Sequence, residues 1–118
     1  MAHRMTKSMR LRRRREFLAV QSAGTKVNTR HFVALVAPSA PDAGVTTGRV
    51  GLTVSKRVGI AVVRNRVKRL VREWLRTHDW MPPGFDVVII AKDSAARLAG
   101  LREIGLDLSR IRGQVAAW

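Results

Sequence analysis

The sequence predicts an α+β chain in which three helices pack on one small sheet, and three observations predict it. Wound at about 100° per residue, the stretch Arg64–Arg76 sets Val67, Leu70, Val71 and Trp74, with Val63 just before them, apart from a face of cations, so one side of this helix can pack on a core. Phe85–Ala91, FDVVIIA, is nearly continuous in β-branched apolar residues, the mark of a central strand covered on both faces. No repeat or linker interrupts the chain, and 46% hydrophobic content over 118 residues supports one folded domain, residues 1–118.

Residues 1–8 carry no periodicity and are expected to form a mobile basic tail. Arg10–Ala23 reads as a short helix with Leu11, Phe17, Leu18 and Val20 as apolar members and Gly24 as its stop. Arg12–Arg15 crowd the start of that helix, where the macrodipole favours negative charge; something must offset them, and phosphate is a candidate. Arg30–Ala37, RHFVALVA, reads as a strand, and Pro38–Gly48 as a loop from its proline and glycine content. Arg49–Ser55 alternates, with Val50, Leu52 and Val54 on one face and small residues on the other, which predicts a sheet with one packed and one open face. Gly59 breaks the chain before the basic helix, which Pro82, Pro83 and Gly84 end. From Ser94 to Arg112 a last helix carries Leu101, Ile104, Leu108 and Ile111 at helical spacing. Gly100 and Gly105 weaken it by about 1 kcal/mol each relative to alanine, so packing on the sheet must compensate. The predicted order is α-β-β-(β)-α-β-α.

Twenty-three basic residues oppose eight acidic ones, for a formal net charge of +15, and eighteen of the basic residues are arginine. This balance concerns partners, not fold. Arg64, Asn65, Arg66, Lys68, Arg69, Arg72 and Arg76 share a broad arc with only Glu73 to oppose them. Solvated helix faces mix signs to gain i,i+4 pairs, whereas this one repels itself, a cost that a bound polyanion relieves. Arginine also favours forked contact with phosphate. A solvated basic face is the plain alternative, and charge alone does not separate RNA from DNA. An anionic membrane competes as partner, but no stretch approaches the roughly 18 consecutive apolar residues of a spanning helix. Without cysteine there is no disulfide framework and no thiolate site, which fits a reducing cytoplasm. No apolar segment follows MAHRMTKSMRLRRRR, so it does not read as a secretory signal. Its arginine richness is like that of an organelle transit peptide, but the same arginines run on into an element that reads as structural.

The run SKRVGIAVVRNRVKRLVRE, Ser55–Glu73, resembles the signature of the bacterial ribonuclease P protein subunit, R-N-R-x-K-R-x-x-R after a glycine loop. Arg64, Asn65, Arg66, Lys68, Arg69 and Arg72 occupy every defined position of that motif. The likeness extends from Arg10 to about Ile111, with its specificity concentrated between Ser55 and Arg72. It implies an α/β sandwich with a small mixed sheet and a left-handed β-α-β crossover into the last strand, which no hydrophobic pattern reveals. It also implies an RNA-binding subunit of a ribonucleoprotein endonuclease, assisting the catalytic RNA in removing the 5′ leader from precursor tRNA. In that family the RNA performs the hydrolysis and holds the Mg²⁺, the protein binding no cofactor of its own. By likeness, the motif residues face the catalytic RNA, and a cleft between the first helix and the open sheet face takes the leader. Phe17 and Phe32 match aromatic positions of that cleft, where stacking can be worth about 1–3 kcal/mol per base, although either also suits a core. Lys56, Arg57 and Lys92 are further candidates for leader contacts. Gln21 and Leu35 stand where many members carry another aromatic, which weakens the expected stacking.

The chemistry that a protein nuclease needs is not recognisable in the pattern. The eight acids are scattered without a metal-ligand spacing, and His3, His31 and His78 sit in a tail, a strand and a helix end, each reading as structural or surface. No Walker-type loop, GxGxxG or zinc spacing occurs. Two other classes stay open from the residues alone: a ribosome-associated or chaperone-like RNA-binding protein, and a DNA-binding regulator. The second lacks a visible turn-plus-recognition-helix pair, and no DNA partner is expected.

Overall fold

The computed structural model describes residues 10–11, 13–39 and 48–116. These form α1 (Arg14–Ala23), β1 (Thr25–Asn28), β2 (Phe32–Pro38), β3 (Arg49–Thr53), α2 (Ala61–Thr77), β4 (Phe85–Ala91) and α3 (Leu101–Ala116), with a 3-10 helix at Asp93–Arg97. The tail expected over residues 1–8 and most of the loop expected over Pro38–Gly48 lie outside the described residues. The strand order is β1-β2-β4-β3, with β3 and β4 parallel and the other pairs antiparallel. β4 is therefore interior, and Val87 lies opposite both Val36 and Val50.

Alternation along the strands builds two unequal layers. Phe32, Ala34 and Val36 of β2, Val50 of β3, and Val87, Ile89 and Ala91 of β4 face α2 and α3, meeting Val67, Val71, Trp74, Ile104, Leu108 and Ile111 in the main core. The other face carries a smaller cluster, Leu11, Val20, Ala37 and Val88, with Phe17, Leu35 and Ile90 half-buried beside it. Among the described residues, α1 and Leu11 just before it cover this second face and leave Leu35 and Ile90 half-buried, in keeping with the one packed and one open face that the Arg49–Ser55 alternation predicts. Arg49 pins α1 to the sheet: it donates to Asp86 through Nε at 2.9 Å and Nη2 at 2.7 Å, and to Glu16 of α1 at 2.7 Å. The hydrogen bonds to Asp86 are the largest influence raising the Arg49 pKa above the ordinary arginine value, against the opposing effect of burial.

Several sequence expectations are corrected. α1 begins at Arg14, not Arg10; Arg10 instead forms a parallel bridge with Val50, and Leu11 N–H donates to Val50 O at 2.9 Å. The crowded arginines have an internal counter-charge, since Glu16 in the first turn accepts from Arg13 N–H at 2.9 Å and also takes Arg49. β1 completes the predicted order, supplying the strand it held in brackets; its four residues, with Val27 as the one buried side chain, did not show in the sequence where that strand lies. His31 lies in the turn before β2, where its N–H donates to Asp107 Oδ2 at 2.8 Å and its Nδ1 is 2.9 Å from Ser94 Oγ, tying the β1–β2 hairpin to the 3-10 helix and α3. The helix expected from Ser94 is two elements, because Glu103 accepts from Ala99 N–H at 2.6 Å and so begins α3 afresh. Gly100 thus precedes that helix, while Gly105 faces Trp74, and an added Cβ would lie 2.8 Å from Trp74 Nε1.

Candidate nucleic-acid interface

α2 owes its start to the glycine loop. Gly59 has φ +156°, and a Cβ there would press within 3.1 Å of Val63, so a side chain would be both strained and crowded. The helix ends at Thr77, ahead of the proline pair, because its last carbonyls are taken locally: Thr77 Oγ1 donates to Glu73 O at 3.1 Å, and His78 Nδ1 lies 2.8 Å from Trp74 O. Val67, Val71, Trp74 and Leu75 bury its core side.

The opposite side borders a surface depression of about 690 Å³ lined by Asn65, Lys68, Arg69, Arg72, Glu73 and Arg76 of α2 and by Arg10 from the edge of the sheet. Neither Lys68, Arg69, Arg72, Arg76 nor Arg10 has a side-chain hydrogen-bond or ion-pair partner among the described residues. Among the described residues, five cations therefore surround one space, with Glu73 as the sole lining acid. The remaining two arginines of the motif flank this face. Arg64 Nε donates to Gly59 O at 3.1 Å, and Arg66 Nη2 donates to Leu98 O at 2.6 Å, bracing α2 against the glycine loop and the end of the 3-10 helix. The arc read from the sequence thus divides into a central group open to a ligand and two flanking guanidiniums already bonded to carbonyls.

At the edge of β3, between α1 and α2, a second depression of about 180 Å³ is lined by Arg10, Leu11 and Phe17, by Val50, Gly51 and Leu52, and by Arg72 and Leu75 of α2. Phe17 is half-buried there, and its ring lies so close to Gly51 that a Cβ on that residue would fall 2.4 Å from Cε1. Phe32 is corrected: it is 0% exposed and points into the main core on the other face of the sheet, so it offers nothing to a ligand in this cleft. Arg57 and Lys92 come together with Ser55, Ile90, Arg97 and one acid, Asp93, around a third depression of about 550 Å³ at the C-terminal end of β4. Lys92 is partly engaged, since Nζ donates to Thr29 O at 2.6 Å. Lys56 is exposed but does not line that depression. The part played by Arg10 is invisible in the sequence, since it depends on a single bridge to β3.

No group of three or more His, Cys, Asp or Glu among the described residues could hold a metal ion, and no described helix is long and apolar enough to cross a membrane. Asp86 is committed to Arg49 and Asp107 to the backbone of His31.

Residues 5–109 match the family model described as Ribonuclease P. The ribonuclease P protein component of Desulfovibrio desulfuricans is 39% identical over 112 residues, covering 94% of this chain and 80% of that relative. Among solved structures, a mutant RNase P protein from Staphylococcus aureus superimposes with a TM-score of 0.81 at 26% identity, over 93% of this chain and 90% of the other. The RNase P protein from Thermotoga maritima does so with a TM-score of 0.64 at 30% identity, over 92% of each chain. With the motif, the four-stranded mixed sheet and the three helices in place, the chain belongs to the ribonuclease P protein family, as the protein subunit that serves tRNA 5′ processing.

Proposed function

We propose that this subunit binds the catalytic RNA through the depression beside α2 and the 5′ leader of precursor tRNA through the cleft between α1 and the open sheet face. The observation that carries this reading is the group of five cations, Arg10, Lys68, Arg69, Arg72 and Arg76, gathered around one space without partners among the described residues. Isolated, such a face costs repulsion; against phosphates it gains charge-assisted bonds and releases counterions. Phe17, seated on Gly51, is the one candidate aromatic left in the cleft, and Arg57 and Lys92 line a separate depression at the C-terminal end of β4 that the leader would reach further on. The chemistry belongs to the RNA: the acids of this chain with structural partners hold α1 and the β1–β2 hairpin in place, and the Mg²⁺ that the reaction uses is held by the RNA, with no cofactor on the protein. The holoenzyme works in the cytoplasm.

The test is salt dependence. Lys68→Gln, Arg69→Gln and Arg72→Gln combined should leave the circular dichroism unchanged while affinity for the catalytic RNA falls and the log–log salt slope flattens by about 0.7–0.9 for each phosphate that the variant no longer neutralises. Wild-type affinity and slope in that variant would reduce the face to a solvated one.

A further inference from the structure

The two depressions assigned above to different RNA segments adjoin at one place, because Arg10 and Arg72 line both. Arg10 is exposed, yet its backbone is held: it bridges Val50, the next residue donates to Val50 O at 2.9 Å, and the Leu11 side chain is buried at 5% exposure. A terminal segment anchored in this way presents its guanidinium from a fixed point on the edge of β3. Arg72 reaches the same point from α2, one turn beyond Lys68. Neither guanidinium has a partner among the described residues, and the surfaces on either side differ in kind. One side is ringed by cations, and the other is lined by Leu11, Phe17, Val50, Gly51, Leu52 and Leu75. A single-stranded polynucleotide matches that change, since its phosphates suit the first surface and its bases the second.

We propose that Arg10 and Arg72 form a phosphate clamp, holding a backbone phosphodiester of the leader at the point where the strand leaves the catalytic RNA and enters the cleft under Phe17. The clamp rests on the function proposed above and adds to it a residue outside the family motif. Two forks from separate elements can bind the non-bridging oxygens of one phosphate, which a single point charge does less well.

The full chain, with its cognate catalytic RNA, supplies two readouts: affinity for the catalytic RNA, and the ratio of holoenzyme affinities for precursor tRNA with a leader of several nucleotides and for mature tRNA. Arg76→Gln, which lines only the basic depression, should lower the first alone, and Phe17→Ala the second alone. Arg10→Gln should lower both several-fold, with Arg10→Lys falling between it and the native chain. In the leader ratio, Arg10→Gln combined with Arg72→Gln should reduce the value by less than the product of the two single reductions, because both side chains hold the same phosphate. A leader ratio unchanged by Arg10→Gln, or reductions that multiply independently, would overturn the clamp. If Lys68→Gln with Arg69→Gln also failed to weaken catalytic-RNA binding, the parent reading would fall with it; if that pair responds and Arg10→Gln does not, the clamp alone is wrong.

Discussion

Gly51 and Phe17 show how one hydrogen decides the shape of a binding surface. The end of the ring sits against β3 because Gly51 has no Cβ, and an added methyl would overlap Cε1 at 2.4 Å and Cζ at 2.5 Å. Gly51→Ala should therefore lift Phe17 away from the strand, with an overpacking cost of about 1–3 kcal/mol and a several-fold drop in leader-dependent affinity. Thermal unfolding and leader-length binding series check the two effects separately. That Phe32 belongs to the core could not be read from the sequence, since both faces of β2 are apolar and alternation gives no sign of which face is open. A second residue-scale effect is electrostatic. The hydrogen bond from Ala99 N–H holds the Glu103 pKa below the ordinary glutamate value, with His31 and Arg30 adding to the shift. A lowered folded pKa gives stability that is present above the unfolded value and lost as pH falls through the folded one. Between about pH 5 and pH 3, wild type should lose more stability than Glu103→Gln, whose amide oxygen still accepts from Ala99 without titrating; parallel acid curves for the two would show that this hydrogen bond contributes nothing.

At the scale of elements, α2 was legible because its apolar and cationic residues separate cleanly at helical spacing, and β4 because its run is apolar throughout. Elements whose identity depends on distant partners were not. β1 exists because it can pair with β2, and the break before α3 exists because Glu103 reaches back to Ala99. The same dependence explains the division of the motif. Periodicity places Arg64 and Arg66 on the basic arc, but the carbonyls that claim them, Gly59 O and Leu98 O, belong to a loop and to a segment 32 residues away in sequence. Gly105 makes the contrast testable. Intrinsic propensity favours alanine in a helix by about 1 kcal/mol, yet a Cβ here would sit 2.8 Å from Trp74 Nε1, where α2 and α3 meet. Gly105→Ala should therefore lower the melting temperature in spite of its better propensity, whereas Gly113→Ala, which faces open space within the same helix, should raise it slightly.

At the scale of the molecule, the sheet separates stability from recognition. Its main core, built with α2 and α3, holds the fully buried Phe32, Ile89, Ile104, Leu108 and Ile111, while the thinner α1 side leaves room for a ligand. α2 serves both: its buried side completes the core, and its other side carries the cations. On this account the chain contributes charge and shape to a reaction carried out by RNA. The most direct measurement is cleavage of precursor tRNA at low Mg²⁺ by the protein alone, the catalytic RNA alone, and both together. The expected result is no cleavage by the protein alone, and cleavage at the tRNA 5′ end by the mixture at lower Mg²⁺ than the RNA alone requires. Mg²⁺-dependent cleavage by the purified protein without RNA, abolished by changing one of its carboxylates in a well-folded variant, would contradict it.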